Sequence, residues 1–366
     1  MKAAVLYEPK IRFAVEDVEV QEPKRGEIMV RMVAGGVCHS DLHVLKGDLE
    51  APLPAILGHE GAGIVEMVGE GVTSVKKGDH VIPLWRLSCG QCEWCLGGRP
   101  ALCDAALQVR NTGRLTDGSG RFRRGSTEIK HFLGVSTFAS LTVMMEQSVV
   151  KIRDDVPLDK AALVGCGVIT GVGAVVNAAK VRAGSAVAVF GTGGVGLNVI
   201  HGAALVGAEK IIAIDLLDNK LELAQQMGAT HLVNASRTDP VAQVKELTGR
   251  QGVDYAFEVI GLPETISQTV EVLRKRGVAV IVGVTRRETT IPLQTLPLVF
   301  QERTVTGSIY GSARPRVDVP KLIDLYMAGK LKLDPLLTRT YPLEQVNEAY
   351  DALERGETAR SVLTFS

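Results

Sequence analysis

All six cysteines of this chain fall into two patterns, with none left over. Cys89, Cys92, Cys95 and Cys103 form a C-x2-C-x2-C-x7-C run. Four thiolates at such spacing repel one another unless they share a cation, and a closed set of four sulfurs suits a structural zinc. Cys38 and Cys166 flank His59 in the sequence. Two thiols and one imidazole leave a fourth coordination position open for water or substrate, as a catalytic zinc requires. Glu60 follows His59 directly, either as a supporting carboxylate or as an alternative ligand. Asp41 is spaced to orient His59 through its second ring nitrogen.

A third pattern belongs to a nucleotide. Gly191, Gly193 and Gly196 make a Gly-x-Gly-x-x-Gly turn, with Thr192, Gly194 and Val195 between them. The apolar run Val187–Phe190 precedes the turn, and an apolar helical stretch to about Val206 follows it. In that context the first glycine permits a tight turn and the second lets the backbone approach a pyrophosphate. The third allows close helix–strand packing. The helix N-terminus adds unpaired N–H groups and the positive end of its dipole. Asp215 closes the next apolar run. A carboxylate there bonds a ribose 2′-hydroxyl and repels a 2′-phosphate, so the expected cofactor is NAD. Metal sites and turn together predict metal-assisted hydride transfer with a dinucleotide.

These groups need a scaffold of two parts. A chain of 366 residues exceeds the usual single core. Lys plus Arg equals Asp plus Glu at 41 each, so charge gives no reason to expect nucleic acid or an anionic membrane as partner. Residues 1–10 contain no long apolar segment, which predicts a cytoplasmic protein whose cysteines stay reduced. Short alternating runs such as Met29–Val33 and Gly63–Val68 read as strands of a β-rich first domain. The polar, glycine-rich stretch from Arg110 to Lys130 reads as a long surface excursion. Beyond Val187, strands at Ile211–Ile214, Asp254–Val259 and Val278–Val282 alternate with helices at Asn219–Met227 and Pro263–Leu273. That alternation predicts an α/β Rossmann domain with a doubly wound parallel sheet. The expected division is 1–160 with 311–366 for the catalytic domain, and 161–310 for the nucleotide domain.

The segments Gly36–Asp41, Gly58–Gly61, Gly165–Gly167, the four-cysteine run and the glycine turn together resemble the zinc-dependent alcohol dehydrogenases of the medium-chain dehydrogenase/reductase superfamily. The resemblance implies a GroES-like catalytic domain and two zinc ions per chain. Cys38, His59 and Cys166 match the catalytic ligands. Ser40 matches the hydroxyl that takes the alcohol proton, and His43 the histidine that passes it on. Asp215 and Lys220 match adenosine-ribose contacts, and Thr170 a threonine near the nicotinamide. Arg360 and His39 match pyrophosphate contacts, with histidine where many relatives have arginine.

The resemblance also bears on substrate and assembly. Leu49, Trp85, Phe132 and Leu133 match pocket positions, all apolar, which implies an aliphatic or aromatic alcohol or the corresponding aldehyde. A second reading stays open, because Arg110–Lys130 resembles the long segment of the class III, glutathione-dependent formaldehyde dehydrogenases. Asp48, Glu50 and Arg121 match charged positions that handle the thiol adduct there. A catalytically silent NAD-binding relative would have lost a zinc ligand, and none is lost. Relatives with these features are commonly dimers, and the strand around Thr304–Ser308 is the expected edge for a homodimer.

Overall fold

The protein is described here from a computed structural model covering residues 1–365. The chain divides into two compact units: residues 1–166, 314–329 and 336–365 form one, and 167–313 with 330–335 the other. The boundary falls at Cys166, six residues beyond the expected one. Residues 330–335 belong to the second unit. There the Lys332 backbone N–H donates to His201 Nε2 at 3.0 Å, and its ammonium donates to the Gln226 carbonyl at 2.7 Å.

The first unit is built on two sheets. The longer strand Glu27–Val37 is the spine of a seven-stranded sheet and pairs antiparallel with Gly61–Val68, Leu141–Met145 and Arg360–Thr364. Ile28, Val30, Met32 and Ala34 are buried on one side while Arg31 is exposed, the two-residue period of a sheet with a packed face. The six-stranded sheet carries Lys2–Leu6 against Ala14–Asp17 and Ala55–Ile56. Its core also takes in Val346, Ala349, Tyr350 and Leu353 of the C-terminal helix Val346–Glu354.

The stretch expected as a surface excursion is one only in part: residues 110–112, 116–118 and 123–127 are exposed, but the rest folds into the domain. After the helix Asp104–Thr112, strands Phe122–Arg124 and Thr127–His131 form a hairpin that joins the six-stranded sheet. Phe122, Ile129 and even Arg121 are fully buried. The polar composition concealed this because Arg121 is buried against Glu27, 94 residues away, and distant partners leave no local pattern.

The second unit is a six-stranded, all-parallel sheet. Its spatial order is His231–Asn234, Lys210–Asp215, Ala186–Phe190, Val253–Glu258, Leu273–Ile281, Thr304–Gly307. Numbered along the chain this is 3-2-1-4-5-6, a doubly wound sheet whose order reverses beside Ala186–Phe190. The sequence reading omitted the short strand His231–Asn234 and the helix Pro240–Leu247. That helix had a readable start: Asp239 caps it by accepting the Val241 N–H at 3.0 Å, ahead of a proline in the first turn. Among the described residues no single helix is long and apolar enough to cross a membrane.

Candidate metal centres and nucleotide site

Cys38 stands where the spine strand ends and the helix His39–Lys46 begins. His59 and Cys166 join it, and the donor atoms of all three lie within 4.8 Å of one another. Asp41, in the first turn of that helix, is fully buried, and its Oδ2 lies 3.0 Å from His59 Nδ1. Its Oδ1 accepts the Gly58 N–H at 3.0 Å. Gly58 has a positive φ of 83°, and a Cβ there would come within 2.4 Å of Phe138, so only glycine delivers His59 in this pose. With Nδ1 turned to Asp41, Nε2 is the nitrogen left for a metal.

The electrostatics of this cluster fit a cation. The Cys38 thiol lies well below its usual pKa, chiefly through the hydrogen bond from Cys166 and despite burial. Burial opposes a charged His59, yet Asp41 and Cys38 outweigh it and raise its pKa. The Cys166 thiol is pushed well up by its hydrogen bond with Cys38 and by burial; two buried sulfurs that cannot both ionise side by side are the donor pair a divalent cation would relieve.

Glu60 is not part of this donor set. Its Oε1 accepts from Arg360 Nη2, and both residues are buried. Gly36 makes room: a Cβ there would sit 2.3 Å from Glu60 Oε1. Of the two roles expected of Glu60, the pairing with Arg360 fits the supporting carboxylate and not a place among the three donor atoms. Arg360, expected on a pyrophosphate, is only 4% exposed and has its guanidinium on Glu60 within the first unit.

The other cluster is four sulfurs, again within 4.8 Å of one another. Cys89 and Cys95 Sγ are 3.9 Å apart, against about 3.8 Å for two thiolates on one tetrahedral zinc. The backbone helps: Cys89 N–H points at Cys103 Sγ (3.4 Å) and Cys92 N–H at Cys89 Sγ (3.3 Å). Backbone N–H groups of Asp104 and Cys95 pull the Cys92 thiol down to about 6. Burial pushes the Cys103 thiol the other way, up to about 11, so without a cation the four sulfurs do not ionise together; their close approach fits the closed zinc read from the spacing.

Around His59 the structure gathers two of the four expected pocket residues. Trp85 and Phe132 both meet its ring edge-on, with centroids 6.1 and 5.9 Å away. Leu49 and Leu133 are half-buried against the core cluster that contains Phe132. Ser40 Oγ lies 3.8 Å from Cys38 Sγ. His43 is one helical turn further on, and its Nδ1 is 3.4 Å from Asp48 Oδ2. His39 opens the helix and is exposed, as is Glu50. The sequence reading missed Tyr350. Its hydroxyl is buried beside Asp41 and Cys38, and burial, then those charges, push its pKa well up. A buried tyrosine on an amphipathic helix signals a polar partner, but not which one.

In the second unit the glycine turn has the expected build. Gly191 has φ 96° and follows the strand; Gly193 caps the helix Gly194–Leu205. A Cβ on Gly196 would stand 1.9 Å from the Gly191 carbonyl oxygen, whereas one on Gly193 would meet nothing within 4 Å. The third glycine is thus demanded by packing. The second faces the open space that a phosphate would fill. Val195 belongs to the same close contact: a Cβ on Gly171 would come 2.5 Å from its carbonyl oxygen. Thr170, on that neighbouring helix Gly167–Gly173, is buried. Asp215 accepts from Thr192 N–H (2.8 Å) and Oγ1 (2.9 Å), and from the backbone N–H of Leu216 and Leu217. Lys220 is half-buried on the helix Asp218–Gln226.

Two family descriptions match the chain: an alcohol dehydrogenase GroES-like domain over residues 24–154, and a zinc-binding dehydrogenase over 194–328. An alcohol dehydrogenase class-3 of Cereibacter sphaeroides is 43% identical, across 100% of this chain and 99% of the relative. The crystal structure of benzyl alcohol dehydrogenase from Acinetobacter calcoaceticus superposes with a TM-score of 0.95 at 36% identity, covering 100% and 99% of the two chains. A more distant putative zinc-binding dehydrogenase from Sinorhizobium meliloti, solved bound to NADP, gives 0.83 at 25%, covering 99% and 98%. On these matches the chain is an oxidoreductase of the zinc-dependent alcohol dehydrogenase family, within the medium-chain dehydrogenases/reductases.

Proposed function

We propose that this chain is an NAD-dependent dehydrogenase with two zinc sites that oxidises an apolar alcohol, aromatic or aliphatic, reversibly to the aldehyde or ketone. The observation that carries the substrate class is the pair of aromatic edges, Trp85 and Phe132, on His59. Beside a polarising metal they offer area and not charge. Asp215, a carboxylate at the strand end nearest the glycine turn, supports NAD over NADP.

When bound, zinc on Cys38, His59 and Cys166 supplies a Lewis acid that lowers an alcohol's pKa, and the nicotinamide supplies the hydride acceptor. The chain's own part is to hold ligands and move a proton. Asp41 fixes the His59 tautomer. Ser40, at the edge of the metal cluster, takes the alcohol proton and must hand it on. His43, three residues along the same helix and one-third exposed, accepts it and returns it to solvent, with Asp48 steadying the imidazole.

The 43% identity to a class-3 enzyme favours a second reading, oxidation of a thiol adduct of formaldehyde. Two observations weigh against it: Arg121 is sealed on Glu27, and Asp48 is engaged by His43. NADH formation from NAD separates the readings, using an alcohol panel beside formaldehyde with and without glutathione. Turnover of benzyl or aliphatic alcohols without thiol is expected. Activity confined to formaldehyde plus glutathione would overturn the first reading.

The assembly we propose is a homodimer through the sheet edge Thr304–Gly307. The preceding helix Thr295–Phe300 buries none of its residues and exposes Leu296, Val299 and Phe300 by 68, 72 and 77%. A second copy continuing the sheet would cover this apolar helix. Light scattering should give twice the chain mass, and Phe300→Glu should shift it toward monomer; a monomeric wild type refutes the assembly. All six cysteines fall in the two zinc sets and none is in a disulfide, which supports a cytoplasmic location.

A further inference from the structure

We infer that Asp218 and Arg237 form a specificity lock that keeps a 2′-phosphate out of the nucleotide site; the inference rests on the NAD reading and deepens it. Asp215 ends one strand of the parallel sheet and Asn234 ends the next, paired in register. Asp218 begins the helix after Asp215, and Arg237 lies three residues beyond Asn234. Arg237 Nη2 donates to Asp218 Oδ2 at 2.5 Å, and Asn234 Nδ2 donates to Asp218 Oδ1 at 2.7 Å. Asn234 is in turn fixed by Ser236, whose N–H and hydroxyl both donate to its Oδ1.

This arrangement has a chemical consequence. An arginine beside the adenosine ribose is the group that accommodates a 2′-phosphate, because its planar donor fork matches phosphate oxygens. The chain carries such an arginine at the right pair of strand ends. It neutralises that arginine with Asp218, whose two oxygens are both occupied. Rejection of the phosphate therefore has two parts. Asp215 contributes negative charge held by four loop donors, and Asp218 removes the cation that would compensate it.

The test is calorimetric titration of the full-length protein with ADP-ribose and with 2′-phospho-ADP-ribose, read as the ratio of the two dissociation constants. Neither probe depends on turnover. Asp218→Asn keeps the acceptor for Asn234 and releases Arg237. It should move the ratio toward the phosphorylated ligand by about fivefold, the ceiling for releasing one exposed ion pair. Arg237→Gln alone should move it little, and the double variant should lose most of the gain, so the two positions couple in a double-mutant cycle. Equal shifts in Asp218→Asn and the double variant would mean simple charge removal and overturn the lock, as would no shift at all. A wild type that binds both ligands equally sinks the NAD reading, while the cycle still decides the coupling of 218 and 237.

Discussion

Replacing Arg121 with methionine should unfold the first unit more easily without touching its chemistry. The side chain is 0% exposed and its partner Glu27 2%. Nε donates to Glu27 Oε2 at 2.8 Å and Nη2 to Oε1, a bidentate pair. Nη1 reaches Ser119 Oγ (2.6 Å) and the Gly120 carbonyl (2.9 Å), and Nη2 also reaches Asp117 Oδ2 (2.7 Å). Methionine fills a similar space and donates nothing. The Glu27 carboxylate would then be left with the Lys24 N–H at 2.9 Å. Breaking one side of a buried ion pair costs about 3–5 kcal/mol. For a domain of this size that is a fall in Tm of roughly 6–20 °C. The double variant Glu27→Gln with Arg121→Met removes both charges and should recover most of the loss. The assay is differential scanning calorimetry of the zinc-loaded protein, paired with kcat/KM for a simple alcohol and for formaldehyde plus glutathione. An unchanged Tm together with lost thiol-dependent activity would refute the reasoning, because it would place Arg121 on a substrate.

Three further outcomes follow from the same geometry. Asp41→Asn should weaken zinc at Cys38, His59 and Cys166 by about 10–100-fold while the four-cysteine zinc stays, as groups that orient a metal-bound histidine do. Metal content after graded chelation reads this, and equal loss from both sites would contradict it. Gly193→Ala should fold normally and bind NAD poorly, whereas Gly196→Ala should lose stability, since its Cβ meets a carbonyl oxygen. Matched melts and titrations of the two variants decide the contrast, and equal stability would remove the packing argument. His131 is buried, and burial first, then Arg121, push its pKa down to about 3. The unfolded chain, with a pKa near 6.5, takes up a proton that the folded one refuses. Stability from this group is therefore full above about pH 6.5 and falls by up to about 1.4 kcal/mol per pH unit toward pH 3. Denaturant melts at pH 7 and 5 should show a smaller drop in His131→Gln than in the wild type.

The two zinc sets and the nucleotide turn were legible in the sequence because their chemistry is short-ranged or type-specific. Four cysteines within fifteen positions have few uses besides a shared cation. A glycine turn between an apolar strand and a helix, followed by a strand that closes on an aspartate, has a recognisable period. The alternation of strands and helices beyond Val187 declared the parallel sheet for the same reason. Other features required the tertiary structure, because their partners lie far apart along the chain. Arg121 reads as a surface charge until Glu27, 94 residues distant, is seen to seal it. Glu60 reads as a supporting carboxylate or an alternative ligand, and its pairing with Arg360, 300 residues on, is visible only in the fold. Tyr350 reads as an ordinary helix residue until the C-terminal helix turns it toward Asp41 and Cys38. Charge and hydrogen-bonding capacity are written in a residue's type. Which partner satisfies them is set by strand register and sheet packing, and no local pattern encodes that choice.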